Sequence, residues 1–174
     1  MRLLTLIGQL LADHHAIGAM PRPDIPAGGH RLRRGPRETR NVIRLGTVVL
    51  GAEDVDRAVT FWSQVLGYGP VRFPDADNEF TILVPPSGEG TRVALQRAES
   101  RPEEHPRVHV DLVVDTAVEQ AAEVQRLIDL GATRVQWDSY PDDPDFVVLA
   151  DPEGNRFCVV DASHGTGADR EPVR

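Results

Sequence analysis

The stretch "LGTVVLGAEDVDRAVTFWSQVLG" (45–67) decides the fold, because two periodicities follow one another in it without a break. Residues 45–51 are β-rich and short enough for a single strand. From Asp54 the period changes. Val55, Ala58, Val59, Phe61, Trp62, Val65 and Leu66 recur at helical spacing, Asp54 sits at the N-cap position, and Gly67 supplies the stop. Short strand patterns follow near 69–73, 79–84 and 91–97, with "PPSGEG" (85–90) turning the chain between the last two.

The same order then recurs. "RVHVDLVV" (107–114) reads as a strand, and "TAVEQAAEVQRLIDLG" (116–131) as a helix that ends in glycine. Strands are expected near 132–137, 145–150 and 156–160, the last two joined by the tight turn "DPEGN" (151–155). A shift of 62 residues sets Leu50 on Leu112, Thr47 on His109 and Gln96 on Cys158. Element order and register together indicate a duplicated βαβββ unit.

The flanks differ. Residues 1–44 form an extension in which 3–18 have the pattern of a short helix with Leu3, Leu4, Ile7, Leu10 and Leu11 on one face. Residues 21–40, rich in proline, glycine and arginine, read as a linker, and 162–174 as a disordered tail. The domain is expected over 45–161, with modules at about 45–97 and 107–161.

Charge and composition exclude several classes of function. All 19 basic residues are arginine, against 27 acidic ones. Residues 1–44 carry a net +5 and residues 45–174 a net −13, so the body would repel nucleic-acid phosphates. No apolar run reaches the ~18–20 residues that span a membrane. Gln9 interrupts the one stretch resembling a signal peptide, Asp13-His14-His15 follows it, and no A-x-A-like cleavage site sits where one should. A single cysteine, Cys158, allows no intrachain disulfide, and a cytoplasmic protein is expected.

"LGTVVLGAEDVDRAVTFWSQVLG", "VALQRAE", "RVHVDLVVD", "LIDLGATRV" and "DPEGNRFCVV", in that order, resemble the glyoxalase-like, or vicinal-oxygen-chelate, superfamily. A "Q-R" strand end followed by "H-x-D-L" resembles one bacterial branch of it. The resemblance covers about 45–161. It implies an α+β fold in which two βαβββ modules with mixed sheets form a cupped cavity. In the family's metal enzymes, four side chains from the first and last strands of each module hold a divalent ion. Those positions map onto Thr47, Gln96, His109 and Cys158, where the family carries His or Gln, Glu, His and Glu. Three of the four depart, so no metal or other cofactor is expected. The aromatic pair Phe61-Trp62 matches the family's first helix and reads as core.

Alternation along the strands places His109 and Asp111 with Val113, Gln96 with Ala94, and Arg156 with Cys158, each opposite an apolar face. Alternation alone would allow that polar face to be simply exposed to water; the resemblance assigns it to the cavity, and the ligand-binding residues it implies are Thr47, Gln96, His109, Asp111, Arg156 and Cys158. Asp111, two residues along the strand from His109, is expected to stand ~7 Å away, beyond a direct hydrogen bond. Gln96 or Arg156 would orient an anionic or carbonyl group. His109, the one of these side chains that titrates near neutrality, is the expected catalytic acid/base. Three readings stay open. One is a small-molecule enzyme of lyase, isomerase or dehydratase type without a metal. The second is a non-catalytic protein that sequesters a ligand or antibiotic, as in family members that bind drugs between paired chains, which leaves room for a homodimer. The third, less favoured by Thr47 and Cys158, is a metal-dependent glyoxalase or dioxygenase.

Overall fold

A computed structural model describes residues 43–73 and 78–164. They belong to one compact unit, Val42–Arg174, so the domain begins close to the boundary expected at 44/45. The helix expected over 3–18, the linker and the tail beyond 164 lie outside the described residues. The first module comprises β1 (Thr47–Ala52), α1 (Val55–Leu66), β2 (Gly69–Arg72), β3 (Phe80–Val84) and β4 (Arg92–Arg97). The second repeats the order as β5 (Val110–Val114), α2 (Ala117–Asp129), β6 (Thr133–Arg134), β7 (Phe146–Ala150) and β8 (Arg156–Asp161). Each module folds its strands into a mixed four-stranded sheet, ordered β1-β4-β3-β2 and β5-β8-β7-β6. The first and last strands of each module run parallel, and the other neighbours antiparallel. The fold is the expected α+β pair of βαβββ modules.

Local chemistry accounts for the helices. The Asp54 carboxylate accepts from Arg57 N at 3.0 Å, and Thr116 Oγ1 accepts from Glu119 N at 3.2 Å, so each helix begins on a side-chain cap. Gly67 ends α1 in the left-handed conformation at φ 66°, where a Cβ would be strained. One strand starts later than its pattern suggests. β5 begins at Val110 and not at Arg107, because its sole ladder partner, β8, begins at Arg156 and the pairing opens with Val110 opposite Phe157. β6 likewise shrinks to two residues.

A single hydrophobic core serves both modules. Val55, Ala58, Val59, Phe61 and Trp62 are buried along one face of α1. The Trp62 ring meets Phe157 of β8 edge-on, with centroids 5.2 Å apart, and Phe61 lies 6.1 Å from the same ring. Leu95 of β4 and Val124, Leu127 and Leu149 of the second module complete it. Burying such side chains contributes roughly 1.5–3 kcal/mol each, the main drive for joining the modules.

The turn 151–155 fastens this arrangement. Asp151, only 3% exposed, accepts from Trp62 Nε1 at 2.9 Å, Asn155 Nδ2 at 3.0 Å, and the amides of Glu153 and Asn155 at 2.9 Å each. A buried carboxylate is tolerated because its oxygens are paired in this way. From the same turn Asn155 Nδ2 donates to Gly51 O at 2.9 Å. Glu153 reaches the start of α1, accepting from Glu53 N at 2.8 Å, Asp54 N at 3.0 Å and Arg57 Nε at 2.6 Å. Gly154, at φ 88°, lies so close to Pro102 that a Cβ would sit 2.8 Å from that ring, which brings the inter-module linker against the turn.

Candidate functional site

Leu50, Ala52, Val93 and Leu95 of the first sheet, and Val110, Leu112, Phe157 and Val159 of the second, pack in or against the core. Alternation sends their neighbours to the opposite face. In the second module that face carries Asp111 and Val113 from β5, and Arg156 and Cys158 from β8, as the alternation requires. Asp111 and Cys158 are direct ladder partners. His109 stands one residue before β5, and continuing the parallel register places it beside Arg156.

His109 and Asp111 meet. His109 Nε2 lies 3.1 Å from Asp111 Oδ1, with both side chains about half exposed. This differs from the separation expected of two residues in one strand. Alternate side chains lean along the strand direction, and the imidazole and carboxylate close the gap that their Cα positions leave. Cys158, buried at 8% exposure, completes a group whose ligating atoms all lie within 4.8 Å of one another. Its thiol pKa is pushed up to about 11, by burial first, then by the Asp111 charge and by the hydrogen bond to that carboxylate. At neutral pH Cys158 is therefore a thiol and a poor nucleophile.

A cavity of ≈ 200 Å³ opens at the junction of the modules, between β1 and the start of β5. Val48, Val49, Leu50 and Gly51 form one wall, with Trp62 behind them. Val108, His109 and Val110, Asn155, Arg156 and Phe157, and Pro102, Glu103 and Pro106 of the linker also line it. Of the six expected site residues, His109 and Arg156 line this cavity. Asp111 and Cys158 stand behind His109. Thr47 and Gln96 are not in the lining. They occupy opposite ends of the β1–β4 ladder, Thr47 opposite Arg92 and Gln96 opposite Gly51, about 13 Å apart at strand rise. The linker was absent from the sequence-derived site. Its signal was present in "RPEEHPR" (101–107), where two prolines stiffen a connection that must cross between modules.

The ladders also correct the repeat. Val48 pairs with Val93, and Val110 with Phe157. Thus the first strands are related by a shift of 62 residues and the last strands by 64. By register the first-module counterpart of Cys158 is Ala94, fully buried, and not Gln96. The counterpart of Asp111 is Val49. The first module therefore offers a methyl group and the Thr47 hydroxyl where the four-ligand site needs carboxylate and imidazole. The second offers His109, Asp111 and Cys158, whose ligating atoms are close enough together to hold an ion. This donor set differs from the His or Gln, Glu, His and Glu set of the divalent-metal site that the family resemblance implies.

A family model described as "Glyoxalase-like domain" matches residues 47–160. The chain belongs to this glyoxalase-like family. Solved structures share the fold. A glyoxalase-related enzyme from Fulvimarina pelagi is 19% identical, with TM-score 0.54, covering 75% of this chain and 97% of its own. A glyoxalase/bleomycin resistance protein/dioxygenase family enzyme from Burkholderia phytofirmans is 20% identical, with TM-score 0.52, covering 68% and 98%. A fosfomycin resistance protein from Mesorhizobium loti is 16% identical, with TM-score 0.51, covering 67% and 90%. No curated protein matches the sequence. Among the described residues no helix is long and apolar enough to cross a membrane.

Proposed function

We propose that this chain binds a small organic molecule in the junction cavity and that His109 exchanges a proton with it without a metal ion. The observation that carries this reading is the His109–Asp111 contact at 3.1 Å beside a cavity that His109 itself lines. A carboxylate on Nε2 fixes the N–H there, so Nδ1 carries the lone pair and is the basic atom. Asp111 also accepts from the Cys158 thiol, which holds the carboxylate in place behind His109. Such a pair suits the proton transfers of a lyase, isomerase or dehydratase. Ala94 and Thr47, which replace ligand-type side chains, support the metal-free form of the reading. The lone thiol, buried and protonated, accords with a cytoplasmic protein.

A second reading, sequestration without chemistry, draws on the mainly apolar wall formed by Val48, Leu50, Trp62 and Phe157. Screening small organic acids and carbonyl compounds by thermal shift, followed by turnover assays on the hits, separates the two. In the enzyme reading, His109→Gln melts close to wild type and loses at least tenfold in turnover, about 1.4 kcal/mol. Asp111→Asn loses part of that activity. Binding without turnover leaves sequestration. Equal shifts and equal turnover in wild type and His109→Gln remove His109 from the site. Elemental analysis is expected to find well under one zinc, iron or manganese per chain, and a stoichiometric metal lost on His109→Ala would refute the metal-free form.

A further inference from the structure

We propose that Arg156 selects the ligand, and that the ligand class is a small monocarboxylate with an apolar body. The proposal rests on the junction cavity being the binding site, but not on the proton chemistry assigned to His109. Arg57, Arg72 and Arg126 each pair with a carboxylate, at 2.6, 2.7 and 2.7 Å. Arg156 has no such partner among the described residues, although acidic residues outnumber basic ones 27 to 19. Its Nε is buried and makes no hydrogen bond. A buried N–H on a cation is costly to leave unmade, so a ligand acceptor reaching it gains more than one that meets an exposed, hydrated arginine.

The position suits recognition. Arg156 lines the junction cavity and also a broader surface hollow along residues 134–138. Register sets it beside His109 at the neighbouring-strand spacing of about 4.8 Å. A guanidinium offers a planar fork of donors that matches a carboxylate in a bidentate way. Val48, Leu50, Trp62, Val110 and Phe157 give the wall an apolar part that accepts a hydrocarbon body. The volume, ≈ 200 Å³, lies below the roughly 300 Å³ at which drug-sized sites begin, so the body must be small. Glu103 is the one carboxylate in the lining. It is exposed, and its charge disfavours a dianion, which selects a monocarboxylate over a phosphate ester.

Benzoate and benzamide, alike in shape and different in charge, provide the test by calorimetric titration of the full chain. Benzoate is expected to bind at least tenfold more tightly than benzamide. Arg156→Gln should abolish that preference, and Arg156→Lys, which keeps the charge, should retain part of it. Val49 is about half exposed and lines the cavity, so Val49→Trp can fold while filling it, and should abolish binding of both compounds. Equal affinities for benzoate and benzamide, binding of neither, or an undiminished preference in folded Arg156→Gln would overturn the proposal. Equal affinities that vanish in Val49→Trp would leave the cavity as the site and refute the carboxylate class alone. A benzoate preference lost in Arg156→Gln but untouched in Val49→Trp would keep the arginine and refute the cavity.

Discussion

Glu153 offers the sharpest test of how the two modules are held. Its side chain is 2% exposed, whereas the Arg57 side chain that meets it is 52% exposed. One oxygen accepts two backbone amides at the start of α1, and the other accepts Arg57 Nε. Bonds to a charged acceptor contribute roughly 1.5–3 kcal/mol each when sheltered, but the half-exposed arginine reduces its own share to about 0–1 kcal/mol. Glu153→Gln keeps the shape and one good acceptor while losing the charge, so a loss of about 1–2 kcal/mol is expected. In a domain of this size that lowers the melting temperature by roughly 2–8 °C. The pH dependence is diagnostic. Burial alone would raise the Glu153 pKa, but the bonds from Arg57 and from the Asp54 and Glu53 amides together outweigh it, and the pKa falls below its ordinary 4.5. A carboxylate with a depressed pKa stabilises the fold above its unfolded value, and that contribution is lost as pH falls through the folded value. Urea unfolding of wild type and Glu153→Gln should therefore differ at pH 7 and converge as pH drops below the carboxylate range. A difference under about 0.5 kcal/mol at pH 7, the usual range of a neutral surface change, would refute the clamp. So would a difference that stays constant on acidification.

Other outcomes follow from the same geometry. Cys158 should resist an aromatic disulfide reagent at pH 8 in the native protein and react stoichiometrically in urea, since burial holds its pKa at about 11. Its raised pKa implies a contribution to stability that is complete below the ordinary 9.0 and lost as pH rises through about 11, a slope that Cys158→Ala should lack. Trp62→Phe removes the indole donor to buried Asp151 and should cost about 1–3 kcal/mol. Trp62→Ala, which also opens the core, should cost about 3–5 kcal/mol by chemical denaturation.

The fold was legible where local physics decides it. Asp54, Thr116 and Gly67 mark helix ends through their own hydrogen bonds or backbone freedom, and those assignments hold. The hydrophobic pattern of "RVHVDLVV" was right in face but long at its start, because a strand ends where its partner ends, and the partner lies 47 residues away. The His109–Asp111 contact was hidden for a related reason. Sequence gives the spacing of Cα atoms along a strand, while the contact depends on rotamers that bend two side chains toward each other. The cavity was the least legible feature, since linker, turn and two strand edges meet there only after the core has joined the modules.

Why the repeat misled at Gln96 is instructive for the chemistry. The helix caps Asp54 and Thr116 do lie 62 residues apart, so a shift taken from the first strands carries correctly through the helices. It cannot carry further. The connection between β2 and β3 spans 73–79 and its counterpart between β6 and β7 spans 135–145, while the loop between β3 and β4 (85–91) is longer than that between β7 and β8 (151–155), so the connections change length after the helix and a fixed shift loses register by two residues. An error of two residues preserves the face, which is why the alternation still looked consistent. Only the ladder exposes it, through Val93 with Val48 and Phe157 with Val110. With the register restored, Ala94 and Val49 stand in the first module where Cys158 and Asp111 stand in the second. The duplicated fold is therefore chemically one-sided. The first module has Thr47, Val49 and Ala94 where the second has His109, Asp111 and Cys158, and among the described residues Arg156 beside them pairs with no carboxylate. The proton transfer and anion binding proposed above therefore draw on the second module, at the start of β5 and β8, and not on a set of ligands shared equally by the two modules.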